Sequence, residues 1–441
     1  MDADTRYLKE ASEVADDQSA TVRSRVADII QIVREQGDDG VRDCTRRFDD
    51  VDREELRVTP DEIDSAAHVL SASDRRAIDA TIERVRTFHR AQRAALGGFE
   101  RTFDDGIVLG TRLVPVEQVG VYVPGGRNPL VAAPAMTIVP AVVAGVDHVI
   151  ACAPPQSNGT PHPAQLYAMD QAGADAVYVA GGAQAIAAMA YGTESIPPVD
   201  LVTGPGNVFV TEAKRAVYGQ VGIDFLAGPT EVLIVADETA NPSLVATDLL
   251  AQAEHDPNAR AMLVSTDESV ARDTIAAVEE QLPTLATEAV ARESWNDNGE
   301  VAVVPDRHSA IELANEYAAE HVQLMLDAPR SVLDELRNYG SAFLGHEAPV
   351  VFGDKAIGTN HTLPTRRVAR YAGGISVLTY LKACTHQELT PTGADGIAPW
   401  AAKICALEGT VAHQRSAAAR LQSTESRSLA RELGLDVDEP E

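Results

Sequence analysis

Short apolar runs alternate with helical stretches between residues 119 and 236, and this alternation leaves few folds open to the chain. The runs at 148–152, 176–179, 200–203 and 231–236 have strand length and β-branched character, and residues at helical period separate them. Parallel neighbours need a crossover of many residues, so such a series builds a mostly parallel sheet with helices on both faces. A second series has strands at 261–265, 301–304, 322–326 and 342–344, again with helical stretches between them. The expected fold class is α/β: two doubly wound, Rossmann-like domains with mostly parallel sheets, plus a helical N-terminal region and a helical C-terminal tail.

The N-terminal region reads as helices. Val22, Val26, Ile29, Ile30 and Val33 keep helical spacing until Gly37-Asp-Asp-Gly40 ends the element. Thr59-Pro-Asp-Glu62 is a capping box that opens a second helix, and Ile78, Ile82, Val85 and Phe88 share one face of a third. Residues 99–123 change period, giving a hairpin about Asp104-Asp-Gly106 and then a strand. Beyond Gly373-Gly-Ile-Ser-Val the pattern turns helical, most strongly over 398–421, and the polar residues from Ser423 onward are expected to be loosely held. The expected division is 1–20 as an N-terminal segment, 21–118 with 232–375 as a first α/β domain carrying the helical N-terminal part, 119–231 as a second α/β domain, and 376–441 as the tail.

A chain of 441 residues exceeds what one core supports, so several domains are expected. The formal charge of -29, with Lys9, Lys214, Lys355, Lys382 and Lys403 as the only lysines, excludes nucleic acid and anionic membranes as default partners, since both need a basic footprint. Carboxylates spread along the whole chain repel one another in dilute buffer and are tolerated in strong salt, where the Debye length falls to ~3 Å at 1 M. A salt-accumulating, halophilic host is expected. Cys44, Cys152, Cys384 and Cys405 show no short pairing, which fits a reducing cytosol. The start lacks the basic and apolar regions of a signal peptide, and the apolar run 130–146, which contains Pro134 and Pro140, reads as a buried helix of a βα unit. A cytoplasmic protein with no membrane partner is expected.

Several residues could carry chemistry. In Asp248-Leu-Leu-Ala-Gln252-Ala-Glu-His255-Asp-Pro257 a helix begun at Asn241-Pro242 runs out, and Gln252 and His255, three apart, share a face. Together they can point at a metal, or His255 can simply sit favourably at a helix C-terminus. Three Gly-rich turns follow strands, Tyr122-Val-Pro-Gly-Gly126, Gly181-Gly-Ala-Gln184 and Gly204-Pro-Gly206-Asn207. Such turns suit dinucleotide phosphates, although none completes G-x-G-x-x-G and tight turns alone also need glycine. Glu320-His321, at a helix-to-strand boundary, offers two proton-transfer groups, against the rule that α/β sites gather at the carboxyl ends of strands. The stretch from Gly353-Asp354 to His361-Thr-Leu-Pro364-Thr is a non-periodic candidate binding loop. Glu408 and His413 are five apart, an awkward spacing for a single helix face.

Taken together, Gly204-Pro-Gly-Asn-Val-Phe-Val-Thr-Glu-Ala-Lys-Arg215, Ala227-Gly-Pro-Thr-Glu-Val-Leu-Ile-Val-Ala-Asp237, the 248–255 segment, Glu320-His321 and Gly358-Thr-Asn-His-Thr-Leu-Pro-Thr365 resemble the histidinol dehydrogenase family. The resemblance runs from about Val22 to the Glu408/His413 segment. It implies a homodimeric oxidoreductase that binds one Zn2+ per subunit and uses two NAD to take the primary alcohol L-histidinol through L-histidinal to L-histidine, the last step of histidine biosynthesis. By motif, Gln252, His255, Asp354 and His413 would be the zinc ligands, and Glu320 and His321 the catalytic acid/base pair. Thr230, where the family often has serine, would meet substrate together with His361, Glu408, His321 and the ligands themselves. Tyr122, Gln184 and Asn207 would meet NAD, making 119–231 the NAD-binding domain. The tail would exchange between subunits, so that the active site is shared. The competing reading is a zinc hydrolase in which Glu320 activates water.

Overall fold

A computed structural model describes residues 5–12, 19–125 and 129–437, so Gly126 of the first Gly-rich turn lies outside the described residues. The chain forms two compact units, Met1–Arg93 with Val116–Tyr380, and Ala94–Pro115 with Leu381–Glu441. The larger unit holds both parallel sheets. One has six strands in the order Arg6–Lys9, Glu300–Val303, Arg260–Ser265, Glu231–Ala236, His321–Met325 and Ser341–Leu344, with only the first antiparallel. The other has five parallel strands in the order Ala176–Val179, His148–Ala153, Gln118–Tyr122, Leu201–Thr203 and Gly222–Ile223. The expected α/β class and doubly wound sheets are present. The apolar run with Pro134 and Pro140 is indeed a buried helix, Ala133–Ala144. Among the described residues no helix is long and apolar enough to cross a membrane.

The domain grouping read from sequence needs correction. Helix Ser19–Gln36 does not end the first helical element in a loop: Gly37, at φ 56, turns the chain directly into a second helix, Asp38–Asp49. Buried Asp38 fixes that corner, its carboxylate accepting the backbone N–H and hydroxyl of Ser195 while its own N–H donates to Glu194 at 2.7 Å. Val26, Ile30, Val33, Val41 and Cys44 share a core with Ile186, Met189 and Val210, which belong to helices of the five-stranded sheet. The first two helices therefore pack on the 119–231 layer, whereas the later helix Ala72–Ala95 also meets the 232–375 segment, where its Arg84 carbonyl and Phe88 lie against Gly358. Periodicity reveals that a helix has an apolar face, not which face it will meet. Likewise the Ile78, Ile82 and Val85 stripe continues onto buried His89, leaving Phe88 40% exposed. Within the expected 1–20 segment, Arg6–Lys9 is a strand that closes one edge of the six-stranded sheet.

The smaller unit contains the expected hairpin, Phe99–Asp104 and Ile107–Pro115, turning at Gly106 with φ 71. The tail is not wholly helical. Leu381–Leu389 is a strand that pairs antiparallel with Ile107–Pro115 along its full length. The single helix expected over 398–421 is two, Pro391–Glu408 and Val411–Ala418, parted at left-handed Gly409. The residues of 424–432 are not loosely held: helix Thr424–Glu432 packs Ala430 against Ala398, Ala402 and Leu421, while 438–441 lie outside the described residues.

Candidate active site

Strands Glu231–Ala236 and His321–Met325 lie side by side, His321 opposite Val232, so Glu231 and Glu320 stand at one level at the amino ends of the two strands. Helix Pro242–Ala253, capped by Asn241 with Pro242 at its start, delivers Gln252 to the same place from its last turn. Asp248, one turn earlier, accepts a bond of 2.8 Å from the Gln323 amide and ties that helix to the strand that begins with His321.

The side chains form one network. The Gln252 amide donates to Thr230 Oγ1 at 2.7 Å, and the Thr230 hydroxyl donates to Glu320 Oε2 at 2.6 Å. Glu320 Oε2 also accepts the backbone N–H of Glu231 at 3.0 Å. His321 Nδ1 lies 3.1 Å from the Glu231 carbonyl, which assigns the proton to Nδ1 and turns Nε2 toward Asp354 Oδ1, 3.3 Å away. Asp354 lies not on the expected loop but in helix Val350–Lys355, and His361 Nδ1 donates to its carbonyl at 2.6 Å, anchoring the following loop to that helix. Thr230, Gln252, Glu320, His321, Asp354 and His361 are thus brought together. His255 follows the end of its helix, an exposed residue whose ring is close enough to feel Lys355, Asp354 and His321. Glu408 and His413 belong to the smaller unit, where both are exposed and have no partner among the described residues.

Charge in this network is strongly biased. Burial alone would discharge the His321 ring, yet the Glu320 carboxylate 3.5 Å from Nδ1 and Asp354 beside Nε2 outweigh it and push its pKa up to about 9. Burial raises the pKa of Glu320, with His321 and the Thr230 hydroxyl opposing. Asp354 is the reverse case: burial works against its charge, but the contact with His321 prevails and holds the carboxyl well below the usual range. The His361 ring is kept neutral, chiefly by burial.

A second site lies at the carboxyl ends of the five-stranded sheet. The strand order reverses between Gln118–Tyr122 and Leu201–Thr203, and such a switch point opens a crevice. There the structure has a cavity of about 1180 Å³, lined by Tyr122, Gln184 and Asn207 together with Asp49, Arg25 and His162. Three residues proposed from three separate turns therefore face one space. Asn207 caps helix Val208–Val217 by accepting the N–H groups of Phe209 and Val210, and Tyr122 accepts the N–H of Gly182 at 3.1 Å. Gly204, at φ 116, lies so close to the Tyr122 carbonyl that a Cβ would collide with it. The N-terminal helices supply part of the wall, including Asp49.

Residues 12–421 match the family model for histidinol dehydrogenase. The chain belongs to the histidinol dehydrogenase family. It is 42% identical over 419 residues to the histidinol dehydrogenase of Methanothermobacter thermautotrophicus, covering 95% of this chain and 98% of that one. It is 44% identical over 419 residues to a histidinol dehydrogenase homolog of Shouchella clausii, covering 95% and 99%. The crystal structure of histidinol dehydrogenase from Elizabethkingia anophelis superimposes with a TM-score of 0.88 at 34% identity, covering 94% of each chain.

Within this family frame the zinc ligand set can be weighed on chemistry. Asp354 Oδ1 is buried without a hydrogen-bond partner, a position that asks for a cation, and its only close polar neighbour, His321 Nε2, is unsatisfied too. Because the Gln252 amide nitrogen is committed to Thr230, its oxygen remains as the donor for a metal. Among the described residues no group of three or more His, Cys, Asp and Glu stands ready to hold a metal. Gln252, His255 and Asp354 therefore fit as part of a site that needs a further donor.

Sequence reasoning missed Glu231, although it lies within a quoted motif. The signal was there: one acid opening the strand Glu-Val-Leu-Ile-Val-Ala, otherwise apolar and buried throughout.

Proposed function

We propose that this chain oxidises L-histidinol through L-histidinal to L-histidine with two NAD, as a zinc-dependent, cytoplasmic homodimer adapted to high salt. The observation that carries this reading is the polar cluster of Thr230, Gln252, Glu320, His321 and Asp354, joined by hydrogen bonds and close charge contacts, in a chain of the histidinol dehydrogenase family. Gln252, His255 and Asp354, with His413 of the partner subunit, would hold zinc, which supplies a fixed anchor for the substrate's nitrogen atoms and offsets the Asp354 charge. NAD, the hydride acceptor in both steps, would lie in the cavity lined by Tyr122, Gln184 and Asn207.

The protein's own groups account for the proton movements. His321 Nδ1 is spent on the Glu231 carbonyl, so Nε2 is the atom that takes the proton of the substrate hydroxyl as the alcohol becomes aldehyde, and it does so from the neutral ring, the form favoured above the raised pKa of about 9. Glu320 Oε2 is occupied by Thr230 and the Glu231 N–H, which leaves Oε1 without a protein partner among the described residues. Oε1 is then the atom that draws a proton from water as it adds to the aldehyde, giving the hydrate that the second oxidation converts to the carboxylate. Thr230 holds Glu320 in place and narrows the site by a methyl group relative to serine, while His361, with Glu408 of the partner subunit, would complete the substrate pocket.

Support for the dimer lies in the smaller unit. Ile397, Trp400, Ile404 and Leu407 repeat at helical spacing on Pro391–Glu408, and all are exposed, Leu407 at 72%. A stripe of this size beside Glu408 and His413 suits burial against a second copy of the chain, with those two residues carried into the neighbour's site.

The deciding experiment is spectrophotometric: zinc-loaded protein in molar KCl should produce NADH absorbance from L-histidinol and NAD, two equivalents per alcohol consumed. No NADH from histidinol, with hydrolysis of peptide or phosphate esters instead, would replace this reading with the zinc hydrolase.

A further inference from the structure

Glu231 is 3% exposed at the head of a strand that is covered on both faces, where an unpaired acid would be costly. It is far from unpaired. Its Oε1 accepts the backbone N–H of Glu320 at 3.3 Å and that of Arg366 at 3.2 Å. Its own N–H donates to Glu320 Oε2 at 3.0 Å, and its carbonyl accepts from His321 Nδ1 at 3.1 Å. The two glutamates therefore clasp each other, each carboxylate receiving the other's backbone N–H across adjacent parallel strands.

The bond to Arg366 carries the clasp to a third segment. Arg366 and Arg367 stand at φ 53 and 63, consecutive left-handed positions that side chains other than glycine avoid. Such a turn persists only where its surroundings hold it. Bonds of three segments do so: the turn's own Val368 N–H to the Thr365 carbonyl at 3.1 Å, the Arg366 N–H to Glu231, and the Gly228 N–H to Thr365 Oγ1 at 2.5 Å. This turn closes the loop that carries His361 and begins at the end of the Asp354 helix, Val350–Lys355. One carboxyl thus joins the strand that leads into His321, the backbone of Glu320 and the end of the His361 loop.

We propose that Glu231 is a positioning residue for the acid/base pair: its carboxyl sets where Glu320 and His321 stand against the His361 loop, and its proton governs how readily Glu320 gives up its own. The proposal rests on Glu320 and His321 being that pair. The groups facing the Glu231 carboxyl are Glu320, which disfavours its charge, and Arg260 with the N–H donors of Glu320 and Arg366, which favour it. Burial is the largest influence, and the pKa of Glu231 is pushed up to about 7. The carboxyl therefore changes protonation near neutrality while Oε1 keeps accepting its two bonds.

Two variants of the zinc-loaded enzyme test this. Glu231→Leu removes the acceptor, and kcat for histidinal oxidation should fall by about 10- to 100-fold, the cost of displacing reacting groups by an ångström, with KM for NAD unchanged. Glu231→Gln keeps an acceptor but cannot ionise. It should recover kcat to within about threefold at pH 6 and lose the inflection near pH 7 from the kcat profile. Wild-type kcat in Glu231→Leu, or a Glu231→Gln profile that superimposes on the wild type, overturns the proposal. Should Glu231→Leu not fold, the Gln profile alone decides. Glu320→Gln, measured in parallel, separates the two ideas: if it oxidises histidinal at the wild-type rate, the acid/base reading itself has failed.

Discussion

Glu320 and His321 adjoin in sequence but stand in different surroundings, and the proposed mechanism divides their labour accordingly. His321 would offer Nε2 to a hydroxyl, whereas Glu320 would keep for water its Oε1, which has no protein partner among the described residues. Replacing His321 by Asn should slow oxidation of both histidinol and histidinal by about 100-fold or more, as expected for loss of a general base. Glu320→Gln should spare the first oxidation more than the second, because only the aldehyde requires hydration. Presenting histidinal directly checks the division: undiminished aldehyde oxidation by Glu320→Gln would reject it. Most of these residues were legible in the chain because ordered motifs bring acids, imidazoles and amides together. Their mutual bonds were not, since the Gln252–Thr230–Glu320 relay spans residues 252, 230 and 320 and exists only once two strands and a helix end have met. Glu231 went unnoticed for a related reason: its partners are backbone groups, which leave no mark in a sequence.

The doubly wound layers were readable from period alone, because strands buried on both faces have an apolar signature that few other elements share. Elements whose burial is one-sided or slight were not. The strand Leu381–Leu389 is mostly exposed and polar, so nothing in its pattern separates it from a loop. Helix Thr424–Glu432 was hidden by its polarity; its docking depends on Asp395, whose carboxylate accepts the N–H groups of Gln422 and Ser423 and the hydroxyl of Ser426. Burial opposes the charge, but the bonds from Ser423, Ser426 and Gln422 prevail and lower the Asp395 pKa to about 2. An acid whose pKa falls on folding contributes stability above its unfolded value, roughly 3.9. That contribution is lost as pH drops through about 2. Asp395→Ala leaves these donors without an acceptor and should cost about 1–3 kcal/mol. Amide hydrogen exchange across Thr424–Glu432 is the measurement; protection equal to the wild type at pH 7 would show that the helix is held by its apolar contacts alone.

Over the whole molecule, charge and assembly make their own predictions. With 66 acidic against 37 basic side chains, self-repulsion should loosen the fold in dilute buffer and relax in concentrated KCl. A melting temperature that does not rise between low and molar KCl would dispose of salt adaptation. Exchange of the tail can be tested by co-refolding inactive His255→Ala chains with inactive His413→Ala chains. Random pairing makes about half the dimers mixed, and each mixed dimer has one site with both lesions and one with neither, so about a quarter of wild-type activity should return. A mixture that stays dead means that each chain supplies its own His413. The edge strand Arg6–Lys9 bears on how the molecule is made. It pairs residue 6 with residue 303, whereas its sheet's other five strands all fall within 231–344. Closing so long a loop is slow beside pairing strands that are near in sequence. Arg6–Lys9 can therefore pair only once the chain has been made as far as Glu300–Val303, and until it does that flank of the sheet is an unpaired edge, open to joining a neighbouring chain.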